Sequence, residues 1–171
     1  MTREILLGTG SFIRKKILTE MGYTFSVMAA DLDERAMGSR TSDQDAPALV
    51  SLLAKAKADE ITRKILLQHP DEAERRAELP SLLLTADSVA TFQGEILEKP
   101  DSLTQAASFL TSYGCGSPLS IVSGLCVTNL CSGAQFQVKQ PIGTNPTYLG
   151  GALLHTMLIG SLTVFSSSAG C

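Results

Sequence analysis

The chain has 171 residues, 44% of them hydrophobic and 18% charged, with 14 basic side chains against 17 acidic ones and a net charge of -3. That length suits one domain, with room for two lobes, and enough apolar content for a real core. The acidic balance leaves no basic footprint for nucleic acid or for an anionic membrane surface.

Residues 4–8, EILLG, read as a first strand, and Gly8-Thr9-Gly10-Ser11 as a tight, hydroxyl-bearing loop. FIRKKILTEM then reads as a helix, with Ile13, Ile17 and Met21 at helical spacing and Gly22 where the chain leaves it with positive φ. A strand, a small-residue loop and a helix N-terminus make a ready anion site, because the first backbone N–H groups have no partner within the helix. Arg14 in the first turn adds a guanidinium suited to phosphate. The bland alternative is Ser11 as a cap beside a solvated basic face.

Residues 23–30, YTFSVMAA, alternate as a second strand, and Asp31-Leu32-Asp33-Glu34 ends it. Three carboxylates in four residues most often make a solvated turn; the sharper reading turns one of them to a cleft and a metal ion. After the polar linker GSRTSDQDA, a long helix is expected from Pro47 to Leu67. Its buried stripe is Leu49, Leu52, Leu53, Ala56, Ile61 and Ile65, flanked by Lys55 and Lys57. Residues 68–80, charged and bounded by prolines, read as a surface connection.

Residues 82–100, LLLTADSVATFQGEILEKP, are the organising stretch: a buried strand, a Gln93-Gly94 turn and a returning strand that stops at Lys99-Pro100. This reading places Asp87 at the end of the apolar strand. A carboxylate there must be paired, hydrogen-bonded or metal-bound, because burial alone is costly. A helix follows from Pro100 to Tyr113, then a long or broken strand over 119–130 and a last strand, AQFQVK. The order β-α-β-α-β-β-α-β-β gives an α/β fold with a mixed twisted sheet and flanking helices.

Every charged residue lies within 1–139, taken as the folded domain, and 140–171 as an uncharged, divergent tail. Within that tail, residues 147–165 approach the ~17–25 apolar residues that span a bilayer. They lack basic flanks, so a membrane anchor is the minor reading. Cysteines 115, 126, 131 and 171 have no metal-type spacing and read as reduced structural thiols of a cytoplasmic protein.

LGTGSFIRKKIL, ADLDE, LAKAKA, TADSV and EKP, in that order, resemble the Maf-like family of nucleoside triphosphate pyrophosphatases over about residues 4–137. The resemblance implies an inosine-triphosphatase-like fold, here with a truncated second lobe. It implies hydrolysis of nucleoside triphosphates to monophosphate and pyrophosphate, with Mg²⁺ or Mn²⁺ as cofactor and a possible homodimer. The family's S-x-S-x-x-R pattern falls on Thr9, Ser11 and Arg14, and its helix lysine is assigned to Lys55, all toward phosphate. Its acid after the second strand falls on Glu34, its strand-end general base on Asp87, and its Lys-Pro on Lys99-Pro100. Glu34 and Asp87 are then the metal ligands. Ile13 and Ser88 occupy the positions linked with base choice. Members acting on dTTP and UTP carry Arg and Thr there, and members acting on 7-methyl-GTP carry Trp and Gln. Ile13 fits neither pattern, and Ser88 sits nearer to Thr, which points to a pyrimidine. The alternatives are an impaired variant that only binds nucleotide or a partner, a tail-anchored form, and a different phosphate-binding enzyme with the same first loop.

Overall fold

The computed structural model describes residues 4–97, 102–105, 107–108 and 119–142. Lys99-Pro100, most of the expected 100–113 helix and the tail beyond Ile142 lie outside the described residues.

The first strand and helix form where the sequence places them. β1 (Ile5–Leu7) leads through the Gly8–Ser11 loop into α1 (Phe12–Glu20), and Gly22 leaves that helix with φ 76°. β2 (Phe25–Val27) follows, then short 3-10 turns at Glu34–Ala36 and Asp43–Asp45. The long helix, α2, spans Ala46–Gln68 with Pro47 in its first turn, where a missing N–H costs nothing.

Residues 68–80 are not a bare connection, because they contain α3 (Glu72–Glu78). Asp71 nucleates it, its carboxylate accepting from the backbone N–H of Ala73 at 2.7 Å and of Glu74 at 3.0 Å. The organising hairpin is β3 (Leu82–Phe92) and β4 (Glu95–Leu97), turning at Gln93 (φ 52°) and Gly94 (φ 87°). Two successive positive φ values match the turn type that a right-twisted hairpin favours. β5 (Leu119–Asn129) is one unbroken strand, and β6 runs from Gln135 to Ile142.

These strands form a six-stranded sheet in the order β2-β1-β3-β5-β6, with β4 paired to β3. β1 is parallel to β2 and β3, whereas β5 is antiparallel to both β3 and β6. The mixed, helix-flanked α/β architecture therefore holds. On one face, Ile17 and Leu18 of α1 pack with Ile5, Leu7, Leu82, Leu84, Leu125 and Val127. On the other, Ala54, Ala58, Ile61 and Ile65 of α2 pack with Leu6, Leu83 and Cys126.

Two features of β3 position the site. On its open side, β1 covers only Leu82–Leu84 and β4 only Ala90–Phe92, so residues 85–89 face a notch with no described strand beside them. On its closed side, Asp87 lies opposite Gly124 and Ser88 opposite Ser123. A Cβ on Gly124 would stand 2.6 Å from the Val50 carbonyl carbon, so this glycine lets α2 lie directly on the sheet. Among the described residues, no helix is long and apolar enough to cross a membrane.

Candidate active site

The β1–α1 loop holds the first group. Thr9, only 8% exposed, accepts from the Ser11 backbone N–H at 3.1 Å and from Arg14 Nη1 at 3.3 Å. Arg14 Nη2 reaches across the notch and donates to Ser88 Oγ at 3.0 Å. Burial draws the Arg14 pKa down, and the charges of Asp87 and Glu34 partly oppose that shift. One guanidinium thus ties the loop to β3 within the field of two carboxylates. Ser11 stands at the helix N-cap, but its side chain makes no capping bond; the loop hydroxyl that accepts hydrogen bonds is that of Thr9.

From the opposite face, α2 contributes a lysine. Lys57 Nζ lies 2.6 Å from Asp87 Oδ1 and 3.1 Å from Glu34 Oε1. The Lys57 and Asp87 side chains are about equally buried, at 10% and 11% exposure, while Glu34 is 44% exposed. Asp87 and Glu34, distant in sequence, are therefore gathered around one ammonium.

Two expectations need correction. Asp87 is not at a strand end, since β3 continues five residues beyond it to Phe92. The strand tolerates an interior carboxylate because Lys57 balances its charge and Gly124 opposite adds no bulk. Nor is Lys55, the expected helix lysine, brought to this cluster. It pairs with Asp59 on a solvated face, the two side chains 47% and 49% exposed. Residues two apart on a helix point about 200° from one another, so Lys55 and Lys57 cannot share a face. Lys57 was legible in one signal: with Leu53, Ile61 and Ile65 it forms a run of fourth residues, all buried on α2.

Thr9, Arg14, Glu34, Asp87 and Ser88 are thus brought together with Lys57. Ile13 is 62% exposed in the first turn of α1, beside a still more open Phe12, and Lys99 lies outside the described residues. A small crevice lined by Thr62, Ile65, Leu79, Leu130 and Cys131 sits at the far end of β3 and holds none of these groups.

The described cluster balances two cations against two carboxylates, so a polyanion bound here needs further positive charge. Among the described residues, no group of three or more His, Cys, Asp or Glu side chains is set to hold a metal. Two carboxylates suffice for a hard divalent ion, which takes one or two of them and completes its shell with phosphate oxygens and water. Lys57 donates to Oδ1 of Asp87, which leaves Oδ2 for a second partner. On that donor chemistry, Glu34 and Asp87 fit such an ion.

A family model described as Maf-like protein matches residues 4–145. A 7-methyl-GTP pyrophosphatase of Dictyostelium discoideum is 33% identical over 132 residues, covering 77% of this chain and 62% of the relative. A dTTP/UTP pyrophosphatase of Colwellia psychrerythraea is 34% identical over 123 residues, 72% of this chain and 48% of the relative. A nucleoside triphosphate pyrophosphatase of Pelagibacter ubique is 29% identical over 130 residues, 75% of this chain and 60% of the relative. The chain spans about half to three fifths of the length of these curated relatives.

Proposed function

The chain belongs to the Maf-like family, and on that premise we propose that it hydrolyses a nucleoside triphosphate to the monophosphate and pyrophosphate. The observation that carries this reading is the Lys57 ammonium shared by Asp87 and Glu34, next to a loop hydroxyl and a helix N-terminus joined by Arg14.

In this reading the triphosphate lies over the notch of β3. The N-terminus of α1, Thr9, Ser11 and Arg14 hold phosphate oxygens, because unpaired amide donors and a guanidinium favour them. Lys57 supplies charge from the α2 side, with Lys99 a further expected cation. Asp87 accepts the proton of a water that attacks phosphorus. The bridging P–O bond breaks, and its electron pair leaves on pyrophosphate, where Arg14 and Lys57 stabilise the added charge. A divalent ion, Mg²⁺ or Mn²⁺, held by Glu34 and Asp87, would neutralise phosphate charge and act as Lewis acid.

Relatives of both base preferences match this chain at similar identity. The short hydroxyl of Ser88 favours a dTTP- or UTP-like substrate, with Ile13 lining the mouth. A cytoplasmic location and a homodimer complete the reading.

The test is product analysis with the whole chain, Mg²⁺ and UTP, dTTP, CTP or 7-methyl-GTP. The expected products are monophosphate and pyrophosphate in equal amounts. Diphosphate and inorganic phosphate would overturn the reaction assigned. Nucleotide binding without any product would support the second reading, a nucleotide-binding protein without turnover.

A further inference from the structure

Ser88 and Ser123 face each other across β3 and β5, their Oγ atoms 2.7 Å apart. Ser88 is exposed to the notch, whereas Ser123 is only 2% exposed. Either hydroxyl could be the donor by distance alone, but the surroundings decide it.

Arg14 Nη2 donates to Ser88 Oγ at 3.0 Å, and a guanidinium accepts nothing in return. Among the described residues, Ser123 Oγ has no hydrogen-bond partner besides Ser88. If Ser88 donated to Ser123, the Ser123 proton would be buried without an acceptor, the costlier arrangement. If Ser123 donates, the buried proton is satisfied and both lone pairs of Ser88 are filled, one by Arg14 and one by Ser123. The proton of Ser88 then has one direction left, outward into the notch.

We propose that Ser123 is a positioning residue which commits Ser88 to donate a hydrogen bond to an acceptor oxygen of the bound nucleotide. The inference rests on the site being a nucleotide site. A keto oxygen of a uracil- or thymine-type base and a phosphate oxygen share the required chemistry. An amino group at the same place does not, because it offers a second donor to a donor.

The experiment measures binding of methylene-bridged, non-hydrolysable UTP and CTP analogues and of inorganic tripolyphosphate, alongside UTP turnover. It uses the whole chain and its Ser123→Ala, Ser123→Thr, Ser88→Ala and doubly substituted forms. Ser123→Ala is expected to weaken the UTP analogue about fivefold, the scale of one ordinary hydrogen bond. Ser123→Thr, which keeps the hydroxyl, restores binding, and kcat changes less than KM. In the Ser88→Ala background, Ser123→Ala has no further effect, which a merely structural role would not give. A loss confined to the UTP analogue identifies the base oxygen as the acceptor; an equal loss with tripolyphosphate identifies phosphate. Unchanged binding in Ser123→Ala, or an equal loss with and without Ser88, overturns the inference alone. Absence of both binding and turnover in the unsubstituted chain overturns the nucleotide reading and the inference with it.

Discussion

Lys57 Nζ sits 2.6 Å from Asp87 Oδ1, in a pair whose side chains are only 10% and 11% exposed. Such a pair costs desolvation to form, but removing one partner strands the other charge in a dry setting. Lys57→Met should therefore destabilise the fold by about 3–5 kcal/mol, the range for breaking a buried pair. Adding Asp87→Asn should recover much of that loss, because the carboxylate left without Lys57 is then only that of Glu34, which is 44% exposed and solvated. Urea unfolding of the two single variants and the double one checks the cycle.

Lys55 provides the contrast. Its exposed pairing with Asp59 belongs to a class worth about 0–1 kcal/mol. Lys55→Ala should keep pyrophosphate release within about twofold of the parent, against a loss on the order of a hundredfold or more for Lys57→Ala, the scale of one preorganised charge contact. Equal losses from both substitutions would mean that the α2 lysines have been assigned to the wrong faces.

Gly124 holds the site from behind. A methyl group there would meet the backbone of Val50 and Ser51 at 2.6–2.9 Å, where no flexible side chain can yield. Gly124→Ala should cost about 1–3 kcal/mol by overpacking. It should also move α2, and with it Lys57, off the sheet, so activity falls even well below the melting temperature. A thermal melt paired with an assay at low temperature separates the two effects.

Away from the site, Asp45 organises the loop before α2, accepting from Ser39 and Thr41 hydroxyls and from backbone N–H groups. Those hydrogen bonds, led by that of Ser39, hold its carboxyl below the usual range. The unfolded chain then binds the proton more readily, so the contribution is present above the unfolded pKa and is lost as pH falls through the folded one. The melting temperature of Asp45→Ala should trail the parent near neutral pH, with the gap closing below about pH 4. A gap that widens in acid would contradict the sign.

Much of this arrangement was written in local patterns. Glycine spacing and helical periodicity marked α1, Pro47 opened α2, and Gln93-Gly94 marked the hairpin turn. What failed needed information that local pattern lacks. Asp87 looked like a strand terminus because an unpaired carboxylate should end an apolar run; its partner arrives from thirty residues upstream. The small residue that makes room for it, Gly124, is known only once the β3–β5 register is set. The α3 helix was hidden by its charge, although Asp71 followed by Glu74 was a readable cap signal. Lys57 was legible too, as the polar member of a buried run of fourth residues, but an apolar stripe drawn without lysines passes over it.

The central claim is that the Asp87 carboxylate takes the proton of the attacking water. Asp87→Asn is nearly isosteric and can keep one acceptor toward Lys57 while losing the basic oxygen. With Mg²⁺ and saturating UTP or dTTP, it should release pyrophosphate at least about a thousandfold more slowly, consistent with loss of general-base catalysis. Its circular dichroism should stay close to the parent's. Pyrophosphate release within about tenfold of the parent, from a variant shown to be folded, would remove Asp87 from the chemistry and contradict the mechanism.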